Sequence, residues 1–144
     1  TTSEFEIIKT HTIIGGKTLE EAESMLQFSD FLRIGKEICF SHHERWDGKG
    51  YPYGLKEEEI PLSARIVSLA DVFDALMAKR VYKPKFSFDQ AYTIITEEEE
   101  GRFDPAILKI FKDKPYEFKK MFEDNYEEEE SSAPAYQKYL EGRD

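Results

Sequence analysis

Apolar residues recur at steps of three and four through most of the chain, and breaks in that rhythm divide it into predicted helices. Residues 4–14 read as helical, with Phe5, Ile8 and Thr12 on one face and Ile7, His11 and Ile14 beside it. Gly15-Gly16 predicts the end of that helix. Thr18 with Glu21 has the form of a capping box and predicts a new helix to about Phe28, with Leu19, Ala22, Met25 and Leu26 as its stripe. Ser29 or Asp30 can cap a further helix to about Ser41, burying Phe31, Ile34, Ile38 and Cys39. Residues 44–61 break the rhythm: Gly48, Gly50, Pro52 and Gly54 mark a loop that Trp46, Tyr51, Tyr53 and Leu55 can pack against the body.

Pro61 suits a first helical turn. From Leu62 to Arg80 the set Leu62, Ile66, Leu69, Phe73 and Leu76 predicts the longest and most central helix. Residues 81–86 are irregular around Pro84. Ser87 with Gln90 forms a second capping box, with Ala91, Ile94 and Ile95 facing inward and Gly101 closing the segment. Asp104 caps a helix that opens on Pro105 and buries Ile107, Leu108 and Phe111. Another helix is expected from about Tyr116 to Asn125. No strand pattern occurs, so the expected class is all-α. One domain over residues 1–130 is expected, followed by a linker at 131–134 and a short helix from Ala135 to Leu140.

At 144 residues the chain can bury a core without staples, and a single cysteine, Cys39, rules out an internal disulfide and a cysteine-rich zinc site. No apolar run is long enough to span a membrane, and the expected location is the cytoplasm. A net charge of -10 argues against broad binding to DNA or RNA, though local cations can still hold a small anion. Much of the acid lies in Glu97–Glu100 and Glu127–Glu130, which read as solvated faces.

Candidate chemistry gathers between His42 and Lys83. The chain has three histidines, His11, His42 and His43. With Asp71 they form a nitrogen and oxygen set suited to iron, manganese or zinc. Neighbouring histidines diverge by about 100° within a helix, but at a helix end they can straddle two metal positions. Asp71 lies in an apolar stretch, where a lone carboxylate needs a metal, a cation or a hydrogen bond. Asp74 can support a ligand from behind. Lys79, Arg80, Lys83 and Lys85 are suited to phosphate or to a solvated helix end. Glu44 and Asp47 can assist at the loop mouth or make loop hydrogen bonds, and the second role is favoured.

The ordered strings His42-His43-Glu44, Asp47-Gly48, Gly50-Tyr51-Pro52, Gly54-Leu55, Ile60-Pro61-Leu62, Ala64-Arg65-Ile66, Ala70-Asp71, Asp74-Ala75-Leu76, Arg80 and Tyr82-Lys83 closely resemble the HD-GYP family. Gly101, Phe103-Asp104-Pro105 and the KTHTIIG stretch at 9–15 extend the resemblance over residues 4–113. It implies an all-α helical bundle of the HD-domain kind, often joined to receiver, sensory or cyclase signalling proteins. It also implies hydrolysis of cyclic di-GMP, or a related nucleotide, at a divalent-metal cluster that usually includes iron. His11, His42, His43 and Asp71 would be metal ligands, Arg80 and Lys83 would meet phosphates, and Gly50, Tyr51 and Pro52 would form the family's named loop.

The family also carries an upstream His-Asp pair, and the ten residues before His11 contain neither histidine nor aspartate. The expectation is therefore a partial domain, cut short at its N-terminal side, with an incomplete metal site. Such a fragment would be inactive by itself, or serve as a non-catalytic signalling module. Its exposed apolar surface could be covered by a second copy in a homodimer.

Overall fold

The computed structural model describes residues 2–26, 29–77, 86–99 and 101–124, and every regular element among them is helical. The order is α1 (Thr2–Met25), α2 (Asp30–Ser41), a short 3-10 turn (Glu57–Glu59), α3 (Leu62–Met77), α4 (Phe88–Thr93) running into a π-helical turn (Ile94–Glu98), and α5 (Pro105–Asp113). A last helix, α6, covers residues 115–124. The all-α expectation holds. The chain separates into two compact units, residues 1–109 and 110–144. In the second, buried Phe111 meets Phe118 edge-on, with ring centroids 4.9 Å apart. The expected linker at 131–134 and the helix from Ala135 to Leu140 lie outside the described residues.

The pair α1 and α2 corrects the sequence reading. Gly15-Gly16 does not end a helix, because α1 runs unbroken for 24 residues and is the longest described element. Thr18 caps nothing; its hydroxyl donates back to the Ile14 carbonyl at 3.0 Å. The glycines serve interhelical packing instead. A methyl group at Gly16 would collide with the Phe40 ring, whereas one at Gly15 would lie 3.3 Å from Cys39 Sγ. The approach is repeated at Gly35 of α2, where a methyl group would lie 3.2 Å from the Leu19 side chain. Lys36 and Glu23 tie the two helices at 2.5 Å. As expected, Ser29 caps α2, accepting from the Leu32 amide.

Burial on α1 follows small residues more than large ones, and on α3 it takes small and large residues together. On α1, Thr12 and Gly16 are buried while Phe5, Ile7, Ile8 and Ile14 stay exposed. On α2, Phe31 is 83% exposed and Ile34 is exposed too, against expectation. On α3 the buried set is Ala64, Ser68, Leu69, Phe73 and Met77, so Leu62 and Ile66 lie outside it. Ile60, Ala91, Ile95 and Phe103 complete the core of this unit.

One ion pair and two helix caps hold the later elements. Asp104 starts α5 by accepting from the Ala106 amide at 2.8 Å, and its other oxygen takes Arg65 of α3 at 2.7 Å. Arg65 in turn lies 5.8 Å from the Trp46 ring centre. Ser87 and Gln90 form the expected reciprocal cap of α4.

The two glycines of α1 give opposed expectations. In both, alanine gains about 1 kcal/mol of helix propensity. At Gly16 the added methyl also displaces Phe40, and overpacking costs roughly 1–3 kcal/mol. Gly16→Ala is expected to lower the thermal midpoint by several degrees, and Gly15→Ala to leave it within a few degrees of the parent. Equal midpoints for the two variants in a thermal melt would refute the close-packing role of Gly16.

Candidate metal centre

The close pairing of α1 and α2 brings His11, in the first half of α1, beside the end of α2. His42 is the C-cap residue of α2, and His43 follows once the chain has left the helix. Release from helical geometry lets the two neighbouring rings come to 4.0 Å between centroids rather than diverge. His11 lies 5.4 Å from the His42 ring and 5.0 Å from the His43 ring. One ligand nitrogen from each of the three falls within 4.8 Å of the others, so the three can hold metal together.

Hydrogen bonds assign the nitrogens. Nδ1 of His11 meets the Ile8 carbonyl at 2.5 Å, and Nδ1 of His42 meets the Ile38 carbonyl at 2.8 Å. A carbonyl only accepts, so in the neutral rings Nδ1 carries the proton and Nε2 keeps a lone pair. The two Nε2 atoms face each other at 3.4 Å. Two lone pairs at that distance repel unless a cation or a proton lies between them. An ion about 2.1 Å from each nitrogen would see them at about 110°, near the tetrahedral angle. Burial first, and then the neighbouring His42, push His43 down to about 4, so its ring stays neutral near pH 7. The donor set therefore fits a divalent ion, and exposed His11 leaves the locus open to solvent.

Asp71 is not among the three residues whose ligand atoms group together. It is exposed on α3, so the desolvation expected from its apolar neighbours in sequence does not arise. Its charge is still felt at His43, and it adds to the burial that pushes the Tyr51 phenol up. Among the described residues neither Asp71 nor Asp74 makes a hydrogen bond or an ion pair. The cations Lys79, Arg80, Lys83 and Lys85 lie outside the described residues.

Gly50, Tyr51 and Pro52 sit beside the triad. Tyr51 stacks on His43, with centroids 4.8 Å apart and planes at 29°, and its amide donates to the His43 carbonyl at 3.2 Å. Glycine is required at position 50, since a methyl there would collide with Glu44 Cα and the Arg45 nitrogen. Lys9 approaches Tyr51 at 5.4 Å and pairs with Glu6 at 2.8 Å.

The loop is fixed from within. Glu44 is 2% exposed, and its Oε1 accepts from the Tyr53 amide at 2.7 Å. Burial pushes its carboxyl up, opposed by the nearby amides of Tyr53, Leu55 and Gly54. Arg45 grips both oxygens of Asp47, at 3.1 and 3.0 Å, and reaches Glu99 at 3.1 Å. That grip holds the Asp47 carboxyl below the usual range. The Trp46 and Asp47 amides donate to the carbonyls of Arg102 and Gly101, both at 2.9 Å. Glu99, read from sequence as part of a solvated run, is thus a structural anchor. Glu44 and Asp47 act as expected, as loop hydrogen-bonding groups.

Replacing His11 or His42 with Ala is expected to weaken binding of Co2+ at least tenfold, since even loss of groups that only orient a ligand costs about 10–100-fold. Isothermal titration of the metal-free chain measures this. Undiminished Co2+ binding by both variants would place the ion elsewhere.

A sequence-family model described as an HD domain matches residues 1–107. Three curated bacterial relatives are similar over much the same span. A cyclic di-GMP phosphodiesterase of Vibrio cholerae is 52% identical over 111 residues, covering 77% of this chain and 23% of the relative. A cyclic di-GMP phosphodiesterase response regulator of Xanthomonas campestris is 42% identical over 108 residues, covering 75% of this chain and 27% of the relative. A 3'3'-cGAMP-specific phosphodiesterase of Vibrio cholerae is 36% identical over 107 residues, covering 74% of this chain and 20% of the relative. The chain thus spans about a quarter of the length of the relatives it matches.

Proposed function

The chain belongs to the HD domain family, in its HD-GYP branch, and on that premise we propose that it is the metal-binding part of a phosphodiesterase acting on cyclic di-GMP. The observation that carries this reading is the convergence of three imidazole nitrogens, two of them with lone pairs facing across 3.4 Å. His11, His42 and His43 would hold the ion, with Asp71 adding an oxygen ligand from α3. Iron or manganese suits that mixed donor set, and zinc fits it too. A bound divalent ion lowers the pKa of its water and polarises a phosphoryl oxygen.

The chain's own groups do the rest. Arg80 and Lys83 would meet the phosphates, Arg by paired hydrogen bonds. Gly50, Tyr51 and Pro52 would border the nucleotide, with Tyr51 backing His43. A related cyclic dinucleotide, such as the one in the name of the second Vibrio relative, is the alternative ligand of the same chemistry. Receiver, sensory or cyclase proteins are the expected signalling partners, and a homodimer would cover exposed apolar residues. The same reading carries a cytoplasmic location in a bacterium; among the described residues no helix is long and apolar enough to cross a membrane.

Among the described residues the triad includes no carboxylate, which favours a second reading for these 144 residues alone: a module that binds nucleotide without hydrolysing it. Binding and turnover should therefore separate. Cyclic di-GMP is expected to bind in the presence of Mn2+, to lose most of that affinity when a chelator removes the metal, and to bind about tenfold more weakly after Arg80→Ala, the order of one lost charged hydrogen bond. Turnover is expected to stay near background with added Mn2+ or Fe2+, since misplacing a nucleophile costs orders of magnitude in rate. Robust metal-dependent hydrolysis in a product assay would show that the three imidazoles and Asp71 suffice. Metal-independent binding would overturn the proposed site.

A further inference from the structure

The three histidines are restrained in two different ways. His11 and His42 each donate Nδ1–H to a backbone carbonyl of their own helix, which fixes ring rotation. His43 lies beyond the helix, and its ring makes no hydrogen bond among the described residues. What it has is a face. Tyr51 stacks on it at 4.8 Å and 29°, the nearest to parallel of the ring contacts around the triad. Tyr51 is itself held by Phe5 edge-on at 6.0 Å, by the Lys9 ammonium, and by its own amide bond to the His43 carbonyl.

A buried carboxylate is one anchor of the loop that carries Tyr51, and the one next to His43. Glu44 directly follows His43 and accepts from the Tyr53 amide, two residues after Tyr51. Its second oxygen, Oε2, is buried with no partner of good geometry, and the Gly50 backbone packs directly on its Cα. The stretch 50–53 is thus pinned to the residue next to the third histidine.

We propose that Tyr51 is a positioning residue that orients the His43 imidazole by stacking, and that Glu44 anchors the loop presenting it. The proposal rests on the metal-site reading above. A stacked ring takes the part that a hydrogen-bond acceptor takes for His11 and His42. It restrains rotation without occupying either ring nitrogen, so it leaves both free to serve as ligand atoms. The aromatic face is what matters, and the phenol oxygen is not required.

The test uses the 144-residue chain with Tyr51→Phe, Tyr51→Leu and Glu44→Met, probed with Co2+ alone and by proton NMR of the metal-free protein. Stacking should shift the His43 ring protons upfield. Tyr51→Phe is expected to keep that shift and to bind Co2+ within twofold of the parent. Tyr51→Leu should lose the shift, bind Co2+ about tenfold more weakly, the low end of the range for groups that orient a ligand, and change the visible spectrum of the bound ion. Glu44→Met keeps the length of the side chain but removes the acceptor of the Tyr53 amide, and should move both readouts in the same direction. It also carries the test if Tyr51→Leu does not fold.

Unchanged His43 shifts in Tyr51→Leu would overturn the stack. A lost shift with unchanged Co2+ affinity and spectrum would overturn the positioning role. If the parent binds no Co2+, the metal-site reading fails, and the proposal, which rests on it, falls for that separate reason.

Discussion

The contact between Gly16 and Phe40 sets everything that follows. With no side chain at Gly16, α1 can come close enough for the Phe40 ring to fill the space a methyl would need. His11 lies five residues before that glycine, and His42 lies two residues after that phenylalanine. A shift of one helical turn, about 5.4 Å, would carry His11 out of reach of both other histidines. Their ligand atoms lie within 4.8 Å of one another, a span shorter than that shift. The histidine cluster is a consequence of helix register more than of any loop.

The loop adds order where helix register cannot reach. A stretch as long as 44–61 is costly to fix unless its polar groups find partners. Here they do so through a few anchors: buried Glu44 on the Tyr53 amide, Arg45 across Asp47 and Glu99, and the amides of Trp46 and Asp47 on the segment 101–102. Trp46 then meets Arg65, whose guanidinium also binds the Asp104 cap of α5. A chain of charged contacts thus runs from the end of α2 to the start of α5, in a region where acidic residues are the majority. Glu99 and Asp104 are used as fixed counter-charges, which is why acid in this chain is not all solvated surface.

Legibility from sequence followed the kind of signal. Chemistry with a distinctive residue was readable: the Ser29 and Ser87 caps, the Asp104-Pro105 start, the helix end at Ser41-His42, and the glycine-rich loop all hold. Burial was less readable, because hydropathy ranks a side chain by size and polarity. Thr12, Gly16, Ala64 and Ser68 are buried for being small, which lets backbones approach. Phe31 and Ile7 rank high and remain exposed. Gly15-Gly16 misled for the same reason, since a glycine pair signals a helix end and a close helix contact equally. The grouping of His11 with His42 could not be read from spacing, because it depends on that contact. It entered through the inventory of histidines and through the resemblance.

Asp71 shows where electrostatics refines a residue list. Its apolar neighbours in sequence suggest burial, yet it is exposed, and its charge is felt at His43 and Tyr51. An exposed carboxylate close to a cluster of imidazoles makes that cluster more attractive to a cation and less attractive to an anion. In a chain of net charge -10 the effect is reinforced at long range. The Asp71 charge favours a divalent ion at the metal-free locus and disfavours an anion there, an influence that Arg102 opposes at His43 and Tyr51. Once held by the three nitrogens, the ion would reverse the sign of the local field. The acidity that argues against nucleic acid is then compatible with a small phosphodiester, provided that the metal binds first.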